Sequence, residues 1–488
     1  MPDRPALSEM MNERTATSLP TRNPRTGACD GRIVVFSAEA VAAKAQALRG
    51  AQIAWERCGA AGRAAVLAAW AERLDARREA LLEALLADSG RWRESALEIE
   101  GALSSLRRWA KEGPELLAAG AEEASAVPGY RLRQSWRPYH LVGVISPWNF
   151  PLLLALIDAI PALLAGCAVL IKPSEVTSRF VAVVEASLGE LPELASVLGF
   201  VTGAAATGEA LIESVDAICF TGSVRTGRKV GEHAARRFIP SSLELGGKDP
   251  AIVCADADLP RAARALTWGG MVNAGQSCMS IERVYVARRV FEPFVARLSR
   301  EVGALRFCFP DARQGEIGPI IAEAQVAVIR EQLAAAYREG ARATVGGQLQ
   351  QLGGGWWCEP TVLVDVRQDM AIVREETFAA ILAVLPFESE DEAIALANDS
   401  DYGLSAAVFA GDLDRAAALA LRLDAGAVSI NDASLTAVIH DAAKQSFKFS
   451  GLGGSRMGKA SIARFGRQQA LLINAGQAAP WWFPSAAS

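Results

Sequence analysis

The alternation of apolar and polar positions divides the chain into helices and short strands. Between Ala38 and Leu86, apolar residues recur at helical spacing, which predicts a pair of long amphipathic helices that end at Gly90. Further along, short apolar runs alternate with helical stretches such as Arg225 to Arg236. The runs predicted as strands are Leu141 to Ser146, Ala168 to Lys172, Ala217 to Thr221 and Ala251 to Cys254. This alternation predicts an α/β fold with a doubly wound parallel sheet.

The strand and helix pattern restarts after Gly247, and we expect a domain boundary there. The elements predicted beyond it are helices at Leu259 to Asn273 and Phe291 to Ala304, and strands at Arg283 to Val286, Ala380 to Pro386 and Ala427 to Asn431. The first domain is predicted to contain residues 1–119 and 139–246, and the second residues 247–445. Two domains agree with the length of 488 residues, which is too long for one ordinary hydrophobic core.

Residues 120–138 and 468–488 are predicted to form a bridging ribbon outside both cores. The stretch from Tyr130 to His140 alternates polar and bulky residues around Trp136 and Pro138, as an exposed strand pair does. Exposed ribbons often pair with another subunit, so we expect a homodimer or a homotetramer.

Composition and charge favour a globular protein with a small-molecule substrate. Hydrophobic residues make up 51% of the chain and charged residues 22%, as in ordinary globular domains. The net charge of -5, without a long basic block, argues against nucleic acid or an anionic membrane surface as a partner. The most apolar stretch, Leu141 to Ile171, is interrupted by prolines and Asp158, so we do not expect it to span a membrane. The eight cysteines lie singly and no secretory signal is recognised, which predicts a cytoplasmic location.

Cys278 is the strongest candidate for a catalytic nucleophile. A nucleophilic cysteine acts as a thiolate, although a free thiol has a pKa of about 8.5, so it needs a polarising and accessible position. Cys278 follows a predicted helix in Asn273-Ala-Gly-Gln-Ser-Cys-Met-Ser280, where glycine and small polar residues surround it. By contrast, Cys219 and Cys254 lie in apolar, strand-like runs. The alternative for any of the cysteines is a small buried hydrophobic side chain.

Two further side chains are candidates for the same chemistry. Glu244 stands in the apolar run Leu243-Glu-Leu-Gly-Gly-Lys-Asp-Pro250, where partial burial would raise its pKa toward neutrality and make it a general base. The alternative is a surface carboxylate at a strand end. Asn149 lies between two prolines in Ser146-Pro-Trp-Asn-Phe-Pro151, where a fixed amide would donate to a developing oxyanion. The alternative for Asn149 is a local Asx-turn.

The glycine-rich segments match no standard nucleotide fingerprint. Phe220-Thr-Gly-Ser-Val-Arg-Thr-Gly227 follows a strand and opens a helix, so its N–H groups could bind a pyrophosphate. It is neither the GxGxxG pattern nor a P-loop, and the Gly203 to Gly208 segment lacks the P-loop lysine, so ATP binding is not supported. The three histidines are isolated from one another, and we expect no metal site.

Six motifs, taken together and in chain order, resemble the aldehyde dehydrogenase superfamily. They are Pro147-Trp-Asn-Phe150, Lys172-Pro-Ser-Glu175, Phe220-Thr-Gly-Ser223, Leu243-Glu-Leu-Gly-Gly-Lys248, Gly275-Gln-Ser-Cys278 and Glu375-Glu-Thr-Phe378. The resemblance extends from Asn23-Pro-Arg-Thr-Gly27 to Gly426-Ala-Val-Ser-Ile-Asn431 and covers nearly the whole chain. It implies two Rossmann-like doubly wound domains, of which the first binds the dinucleotide and the second is catalytic, with a small β oligomerisation ribbon.

The resemblance also implies a role for each candidate in the oxidation of an aldehyde to its carboxylic acid. Cys278 would attack the aldehyde and carry a thioester, while the Asn149 amide and the Cys278 backbone N–H would hold the oxyanion. Glu244 would deprotonate the water that hydrolyses the thioester. NAD or NADP would accept the hydride.

Ten residues match positions that bind the cofactor in this family. They are Ser146, Trp148, Lys172, Ser174, Glu175, Gly222, Ser223, Gly227, Glu376 and Phe378. By resemblance, Lys172 and Glu175 contact the adenine ribose, the glycines and Ser223 lie by the pyrophosphate, and the last two position the nicotinamide ribose. A carboxylate near the ribose hydroxyls would repel a 2'-phosphate, so we expect NAD in preference to NADP, with NADP possible.

Two departures from the family pattern bear on the substrate. Ala379-Ala380 stands where Gly-Pro is common, and Gln445-Ser-Phe-Lys-Phe-Ser-Gly451 replaces the usual Pro-Phe-Gly-Gly before Lys-x-Ser-Gly. The second lies where the family shapes its substrate entrance. Trp148 and Phe150 favour an apolar or aromatic aldehyde.

Two alternative functions stay open at this point. A coenzyme A-acylating relative would pass the thioester to coenzyme A, but such relatives generally lack the base at Glu244. A catalytically silent NAD-binding scaffold would keep the fold without the activity. A plain alcohol dehydrogenase would be expected to show the GxGxxG fingerprint.

Overall fold

The computed structural model describes residues 17–118, 120–474 and 476. The helices within these residues are α1 (Ala38–Arg57), α2 (Gly59–Asp75), α3 (Arg78–Ser89), α4 (Trp92–Leu116), α5 (Pro151–Ala165), α6 (Phe180–Leu188), α7 (Pro192–Ala195), α8 (Ala205–Ser214), α9 (Val224–Arg236), α10 (Leu259–Met271), α11 (Phe291–Gly303), α12 (Glu323–Arg338), α13 (Ala371–Arg374), α14 (Glu390–Asn398) and α15 (Leu413–Ala420). The strands are β1 (Ser18–Arg22), β2 (Cys29–Val34), β3 (Glu123–Ala124), β4 (Tyr130–Pro138), β5 (Leu141–Ile145), β6 (Ala168–Lys172), β7 (Leu198–Phe200), β8 (Ala217–Thr221), β9 (Ser241–Glu244), β10 (Asp249–Val253), β11 (Ile281–Ala287), β12 (Arg342–Val345), β13 (Leu349–Leu352), β14 (Gly355–Cys358), β15 (Thr361–Val364), β16 (Ile381–Phe387), β17 (Tyr402–Gly403), β18 (Ser405–Phe409), β19 (Ala427–Ile430), β20 (Phe447–Lys448), β21 (Gly451–Leu452) and β22 (Gly466–Asn474).

The first large sheet has the strand order β21-β9-β8-β5-β6-β7. All neighbours in it are parallel except β21, which is antiparallel to β9. From β5 the chain winds to β6 and β7 on one side, and then to β8 and β9 on the other. This reversal between β5 and β8 leaves a crevice at the carboxyl ends of the two strands, which is where doubly wound sheets bind their ligands.

The second large sheet has the order β12-β15-β16-β11-β10-β18-β19. Its strands are parallel except β12, which is antiparallel to β15. The chain leaves the first sheet after Glu244 and enters the second at Asp249, and it returns to the first only with β21. The predicted α/β fold with two doubly wound sheets is therefore confirmed.

Helices cover both faces of the two sheets. Strands β6, β8, β10 and β11 are buried along their entire length, as expected where both faces of a parallel sheet are covered. One cluster of buried apolar side chains surrounds the first sheet, and two further clusters pack on the second. Among the described residues, no helix combines the length and the apolar character needed to cross a membrane.

The predicted pair of helices between Ala38 and Leu86 is wrong in number, because the structure has three helices there. The first break falls at Gly59, whose φ of +69° lies in the left-handed region that glycine favours. The second falls at Arg77, which has φ -109° and ψ 18° and separates α2 from α3. The predicted stop at Gly90 is confirmed, since this residue has φ 73° and its N–H donates to the Leu86 oxygen.

A small third sheet has the order β22-β4-β3. Strand β4 pairs with β22 over nine residue pairs, from Tyr130 opposite Asn474 to Pro138 opposite Gly466. The ribbon therefore joins parts of the two predicted bridging segments. Residues 475 and 477–488 of the second segment lie outside the described residues.

Candidate active site

A cavity of about 270 Å³ lies where the strand ends of the first sheet face the loop that carries Cys278. Its lining residues are Pro147, Trp148, Asn149, Thr221, Gly222, Ser223, Leu245, Gly246, Cys278, Gln325, Val328, Glu376 and Phe378. The sequence-predicted site residues within this lining are Trp148, Asn149, Gly222, Ser223, Cys278, Glu376 and Phe378. The six others, found outside the lining, are Ser146, Lys172, Ser174, Glu175, Gly227 and Glu244.

The Cys278 loop begins with three successive residues in the left-handed region. Asn273, Ala274 and Gly275 have φ values of 56°, 53° and 71°. Left-handed backbone is costly for a residue with a Cβ, so neighbouring contacts must hold this turn in place. At Gly275 only glycine fits, because a Cβ would collide with the Ala379 backbone. The turn ends the predicted helix at Met271, two residues earlier than expected, and leads the chain to Cys278.

Asn149 is tied to the same loop by its side chain. Its Nδ2 donates to the Gln276 backbone oxygen at 3.0 Å. The Asn273 Nδ2 donates in turn to the Asn149 backbone oxygen at 3.1 Å and to the Gln276 oxygen at 2.8 Å. The amide of Asn149 therefore makes a long-range contact, in contrast to the local Asx-turn that was the alternative, and this contact lies two residues from Cys278.

A buried ion pair beneath this turn was missed in the sequence. The Arg91 guanidinium donates to the Asn149 backbone oxygen and to Asn273 Oδ1, and it pairs with Glu98 at 3.1 Å. Glu98 also accepts from the backbone N–H of Leu152 at 3.0 Å. The available signal was weak: Glu98 lies next to Ile99, Ala102 and Leu103 on the buried face of α4, where a carboxylate is unusual without a partner.

The protein environment disfavours ionisation of the resting Cys278 thiol. Burial raises its pKa to about 12, Lys444 acts in the opposite direction, and Glu376, Glu244 and Asp249 raise it further. The side chain is nevertheless partly accessible and lines the cavity. Cys278 is thus a neutral thiol at rest that an entering ligand can reach.

Glu244 ends β9 and is mostly buried, with 15% of its side chain exposed. The Ser446 hydroxyl donates to Glu244 Oε2 at 3.1 Å, and the Lys444 ammonium lies 3.9 Å from the same atom. The surface carboxylate that was the alternative is not what the structure shows. Nor are its surroundings apolar as expected, because the 443–446 segment brings a hydroxyl and a cation to it.

Glu376 and Phe378 form the wall of the cavity opposite the strand ends. Glu376 accepts from the Gly247 N–H at 3.0 Å, and burial raises its pKa to about 8. The Phe378 ring packs edge-on against Trp148 with 5.3 Å between centroids. Below them, the buried Glu282 accepts from the Phe378 N–H at 2.9 Å and fixes this wall in place.

The remaining predicted cofactor residues line up along the carboxyl ends of the first sheet. Lys172 ends β6, and its ammonium pairs with Glu175 at 3.0 Å. Ser174 accepts from the Val176 N–H at 3.2 Å and so shapes the turn between them. Ser146 follows β5, and its N–H donates to the Lys172 oxygen at 3.1 Å. These residues therefore adjoin one another beside the cavity.

Two features of these strand ends fit a bound dinucleotide. The Ser146 hydroxyl is buried and has no hydrogen-bond partner among the described residues, so it can accept or donate to a ligand. Helix α9 begins directly after the cavity-lining Ser223, whose hydroxyl caps it by accepting from the Thr226 N–H at 3.3 Å. The positive end of α9 at the cavity edge suits a pyrophosphate.

Gly222 and Gly227 keep the backbone close on both sides of this helix start. A Cβ on Gly222 would lie 2.6 Å from the Phe220 ring. A Cβ on Gly227 would collide with Leu245, which packs against the first turn of α9. The structure thus gives Gly227 a packing position beside the cavity.

Comparison with known proteins identifies the family to which the chain belongs. The model of the aldehyde dehydrogenase family matches residues 11–471. A Mycolicibacterium smegmatis protein, provisionally named a succinate-semialdehyde dehydrogenase of the NADP(+) type, is 36% identical over 440 residues, which are 90% of this chain and 85% of that protein. Vanillin dehydrogenase of Corynebacterium glutamicum is 38% identical over 394 residues, covering 79% of this chain and 80% of that protein.

A solved structure is more similar still. The Anabaena variabilis protein PutA, provisionally described as an aldehyde dehydrogenase, is 50% identical and has a TM-score of 0.94, over 96% of this chain and 100% of that one. The predicted family, fold and class of activity are confirmed. This chain belongs to the aldehyde dehydrogenase family and is an NAD(P)-dependent aldehyde oxidoreductase.

Proposed function

We propose that Cys278 is the nucleophile, Asn149 the oxyanion donor and Glu244 the base in the oxidation of an aldehyde to its carboxylic acid. The observation that carries the proposal is that Cys278 and Asn149 line one cavity together with the strand ends that fit a dinucleotide. Glu244 lies within electrostatic range of the thiol and is held by Ser446.

The first step forms a carbon–sulfur bond. Because the pKa of Cys278 is about 12, attack on the aldehyde carbon requires removal of the S–H proton as the bond forms. Glu244 receives this proton and later releases it to solvent. The carbonyl π electrons move to oxygen, which becomes an oxyanion.

Asn149 stabilises this oxyanion. Its side-chain amide carries two N–H donors, of which one is directed to Gln276. We assign the other to the oxyanion, together with the Cys278 backbone N–H. Anchoring through the first donor means that little reorganisation is needed when charge develops on oxygen.

Oxidation follows when the adduct expels hydride from the former aldehyde carbon. NAD(P), when bound, supplies the nicotinamide that accepts this hydride. Trp148, Phe378 and Glu376 line the cavity together with Cys278 and would hold the nicotinamide there. Loss of hydride leaves the acyl group on Cys278 as a thioester.

Hydrolysis completes the cycle. Glu244 takes a proton from a water molecule, whose oxygen attacks the thioester carbonyl. The carbon–sulfur bond then breaks, the acid leaves and the sulfur regains a proton. The hydrogen bond from Ser446 holds the Glu244 carboxylate in one orientation for this step.

We propose that NAD is preferred over NADP. The supporting feature is Glu175, whose carboxylate pairs with Lys172 beside the strand ends and would repel a 2'-phosphate. The M. smegmatis relative carries NADP(+) in its name, so both cofactors need to be compared directly. Lys172, Ser174, Ser146 and the α9 start would complete the cofactor site.

For the substrate, we propose an apolar or aromatic aldehyde. Trp148, Leu245, Val328 and Phe378 give the cavity apolar walls. Phe150, which the sequence also suggested, lies outside this lining and packs against the Arg91 guanidinium at 4.7 Å. One relative is named for vanillin, an aromatic aldehyde, and another for succinate semialdehyde, an anionic one. Higher kcat/KM for an acidic semialdehyde than for aromatic aldehydes and alkanals would rule this proposal out.

We further propose that different parts of the chain have separate roles. Residues 1–119 and 139–246 would bind the dinucleotide, and residues 247–445 would carry the catalytic thiol. The β3, β4 and β22 ribbon, on which Leu472 is 74% exposed, would pair subunits in a homodimer or homotetramer. A cytoplasmic location is supported by eight cysteines that are all free.

The deciding experiment is spectrophotometric reduction of NAD and NADP with aliphatic, aromatic and acidic aldehydes, with and without coenzyme A. We expect turnover without coenzyme A that is lost in Cys278→Ala and retained in the control Cys29→Ala, whose thiol is exposed. Strict dependence on coenzyme A would identify an acylating enzyme. Absence of turnover despite NAD binding would favour a silent scaffold.

A further inference from the structure

Lys444 is a buried lysine beside the proposed base, Glu244, and the mechanism above gives it no role. Only 6% of its side chain is exposed, and its backbone N–H donates to Ser455 Oγ at 2.9 Å. Lysine is seldom buried unless its charge is compensated. Within the described part of the chain, its ion-pair partner is Glu244, 3.9 Å away.

The length of this contact shows that it is electrostatic. At 3.9 Å the ammonium is too far from Glu244 Oε2 for a hydrogen bond, and that oxygen accepts from Ser446 instead. A second cation, Arg456, also faces Glu244, but it is hydrogen-bonded to Asp158 at 2.6 Å. The negative charge of Asp158 balances the positive charge of Arg456. The charge of Lys444 is balanced instead by acidic groups of the proposed active site.

The groups around the Cys278 thiol come from several elements. Glu244 ends β9, Asp249 begins β10, Glu376 follows α13, and each of these acids opposes thiolate formation. Lys444 is the cation that opposes them. It also faces Asp249, which hydrogen-bonds to the Ser405 N–H at 3.1 Å. One ammonium, 3.9 Å from Glu244, therefore acts electrostatically on a thiol and two carboxyl groups.

We propose that Lys444 is a positioning residue of the reaction, whose ammonium stabilises one negative charge shared between the Cys278 sulfur and the Glu244 carboxylate. This rests on the proposed function. Before attack, Glu244 holds the charge. When the S–H bond breaks, its electron pair stays on sulfur and the proton goes to Glu244, so the charge moves from carboxylate to thiolate while the cation stays in range of both.

The geometry accounts for why the ammonium is not held tightly. A cation hydrogen-bonded to Glu244 would stabilise the carboxylate alone and oppose its protonation. At 3.9 Å, with Ser446 occupying the nearer position, Lys444 favours the anion without immobilising it on one acceptor. In the 443–446 segment, the Ser446 hydroxyl thus orients the Glu244 carboxylate, and the Lys444 ammonium supplies a positive charge near it.

The test measures the thiol directly, without turnover. Alkylation of Cys278 by iodoacetamide is followed by peptide mass spectrometry from pH 6 to pH 10 in the wild type, Lys444→Met and Lys444→Arg. Methionine keeps an unbranched side chain that is one atom shorter and removes the charge, and arginine keeps the charge. Lys459→Met is the matched control, because Lys459 lies on the same C-terminal part of the chain but is 63% exposed.

We expect Lys444→Met to slow Cys278 alkylation about tenfold or more at pH 8, since tenfold in thiolate fraction corresponds to one pKa unit. The exposed Cys29 and Cys58 are internal controls for the reactivity of iodoacetamide in the same samples, and they should be alkylated equally in every variant. Lys444→Arg and Lys459→Met should react within about threefold of the wild type, by the same relation. Lys444→Gln serves if the methionine variant does not fold.

Two outcomes separate this proposal from the proposed function. If a folded Lys444→Met or Lys444→Gln variant is alkylated at the wild-type rate at every pH, Lys444 does not act on the thiol and the proposal fails. If alkylation responds as expected but the wild type oxidises no aldehyde, the proposed function fails while the electrostatic role of Lys444 stands.

Discussion

Asn149 and Gln276 are joined by a hydrogen bond of 3.0 Å from the side-chain amide of the first to the backbone oxygen of the second. The bond connects the end of β5 in the first sheet to the loop that precedes β11 in the second. It therefore fixes the proposed oxyanion donor, Asn149, relative to the proposed nucleophile, Cys278, two residues beyond Gln276. Any aldehyde bound at Cys278 meets an amide that is already oriented.

Asn149→Ala should lower kcat about 100- to 1000-fold, because loss of one oxyanion donor costs about 2.7 to 4 kcal/mol of transition-state stabilisation. Steady-state kinetics with a good aldehyde and NAD give this value. Asn149→Asp keeps the shape without the donor and should be impaired as well. An activity near that of the wild type in either variant would show that Asn149 is not the donor.

Arg91→Met should destabilise the protein by about 3 to 5 kcal/mol at pH 8, because it leaves Glu98 buried without its cation. Urea unfolding measures this free energy, and Arg93→Met, which changes a 53% exposed side chain, is the control. Burial raises the pKa of Glu98 to about 7 even in the wild type, so the deficit should shrink at pH 6, where the carboxyl takes up a proton. A deficit independent of pH would contradict this explanation.

Glu376 should make the stability of the protein depend on pH. Its pKa is about 8 in the folded state and near 4.5 in the unfolded state. The stabilisation of the folded state by the protonated Glu376 is therefore complete below pH 4.5 and is lost as the pH rises through 8. Relative to Glu376→Gln, the wild type should lose at least about 1.4 kcal/mol of unfolding free energy between pH 5 and pH 9, the value of one pKa unit. Glu375→Gln alters the exposed neighbour and is the control. Parallel stability curves for the wild type and Glu376→Gln would refute the assignment.

Gly246→Ala should weaken cofactor binding more than it weakens the fold. The new Cβ would meet the Glu376 carboxylate, which is the end of a flexible side chain and can move away from it. We expect KM for NAD to rise severalfold, with the midpoint of thermal unfolding little changed. Gly50→Ala, with open space around the added methyl, should leave KM unchanged and stabilise α1 by about 1 kcal/mol at most. Equal effects of the two substitutions on KM would exclude a specific role of Glu376.

Glu175→Gln should shift cofactor preference toward NADP. Two like charges about 4 Å apart near a protein surface repel by about 1 to 4 kcal/mol, so kcat/KM for NADP relative to NAD should rise about tenfold or more. The competing explanation, a general effect of charge, is tested with Glu185→Gln, whose carboxylate is 47% exposed and pairs with Lys44. An unchanged ratio in Glu175→Gln would remove this residue from the cofactor site.

The candidate site residues and strands that could be predicted from the sequence share one property: each has a characteristic pattern in its immediate sequence neighbours. Cys278 has its glycine-rich loop, Asn149 its flanking prolines, and the strands of the first sheet their apolar runs. Such features are readable because they depend on neighbours within a few positions. The fold class followed from the same alternation.

The features of the site that could not be predicted from the sequence depend on contacts between distant parts of the chain. Arg91 reaches Asn273 across 182 residues, and Ser446 reaches Glu244 across 202. Nothing in the sequence around Lys444 indicates burial, since only the packing of the 443–446 segment against the end of β9 places its ammonium beside Glu244. The apolar surroundings expected for Glu244 were wrong for that reason: the polar groups come from another region of the sequence.

The pairing of β21 with β9, in which Gly451 lies opposite Glu244, has a consequence for synthesis on the ribosome. A nascent chain that has emerged only as far as Ile430 already contains every strand of the second sheet and all but one of the first. It still lacks Ser446, which donates a hydrogen bond to Glu244, and Lys444, whose ammonium lies 3.9 Å from the same carboxylate. The proposed nucleophile Cys278 is thus synthesised well before the residues that contact the proposed base, and we expect thioester hydrolysis only after the 444–452 segment has emerged and β21 has paired with β9.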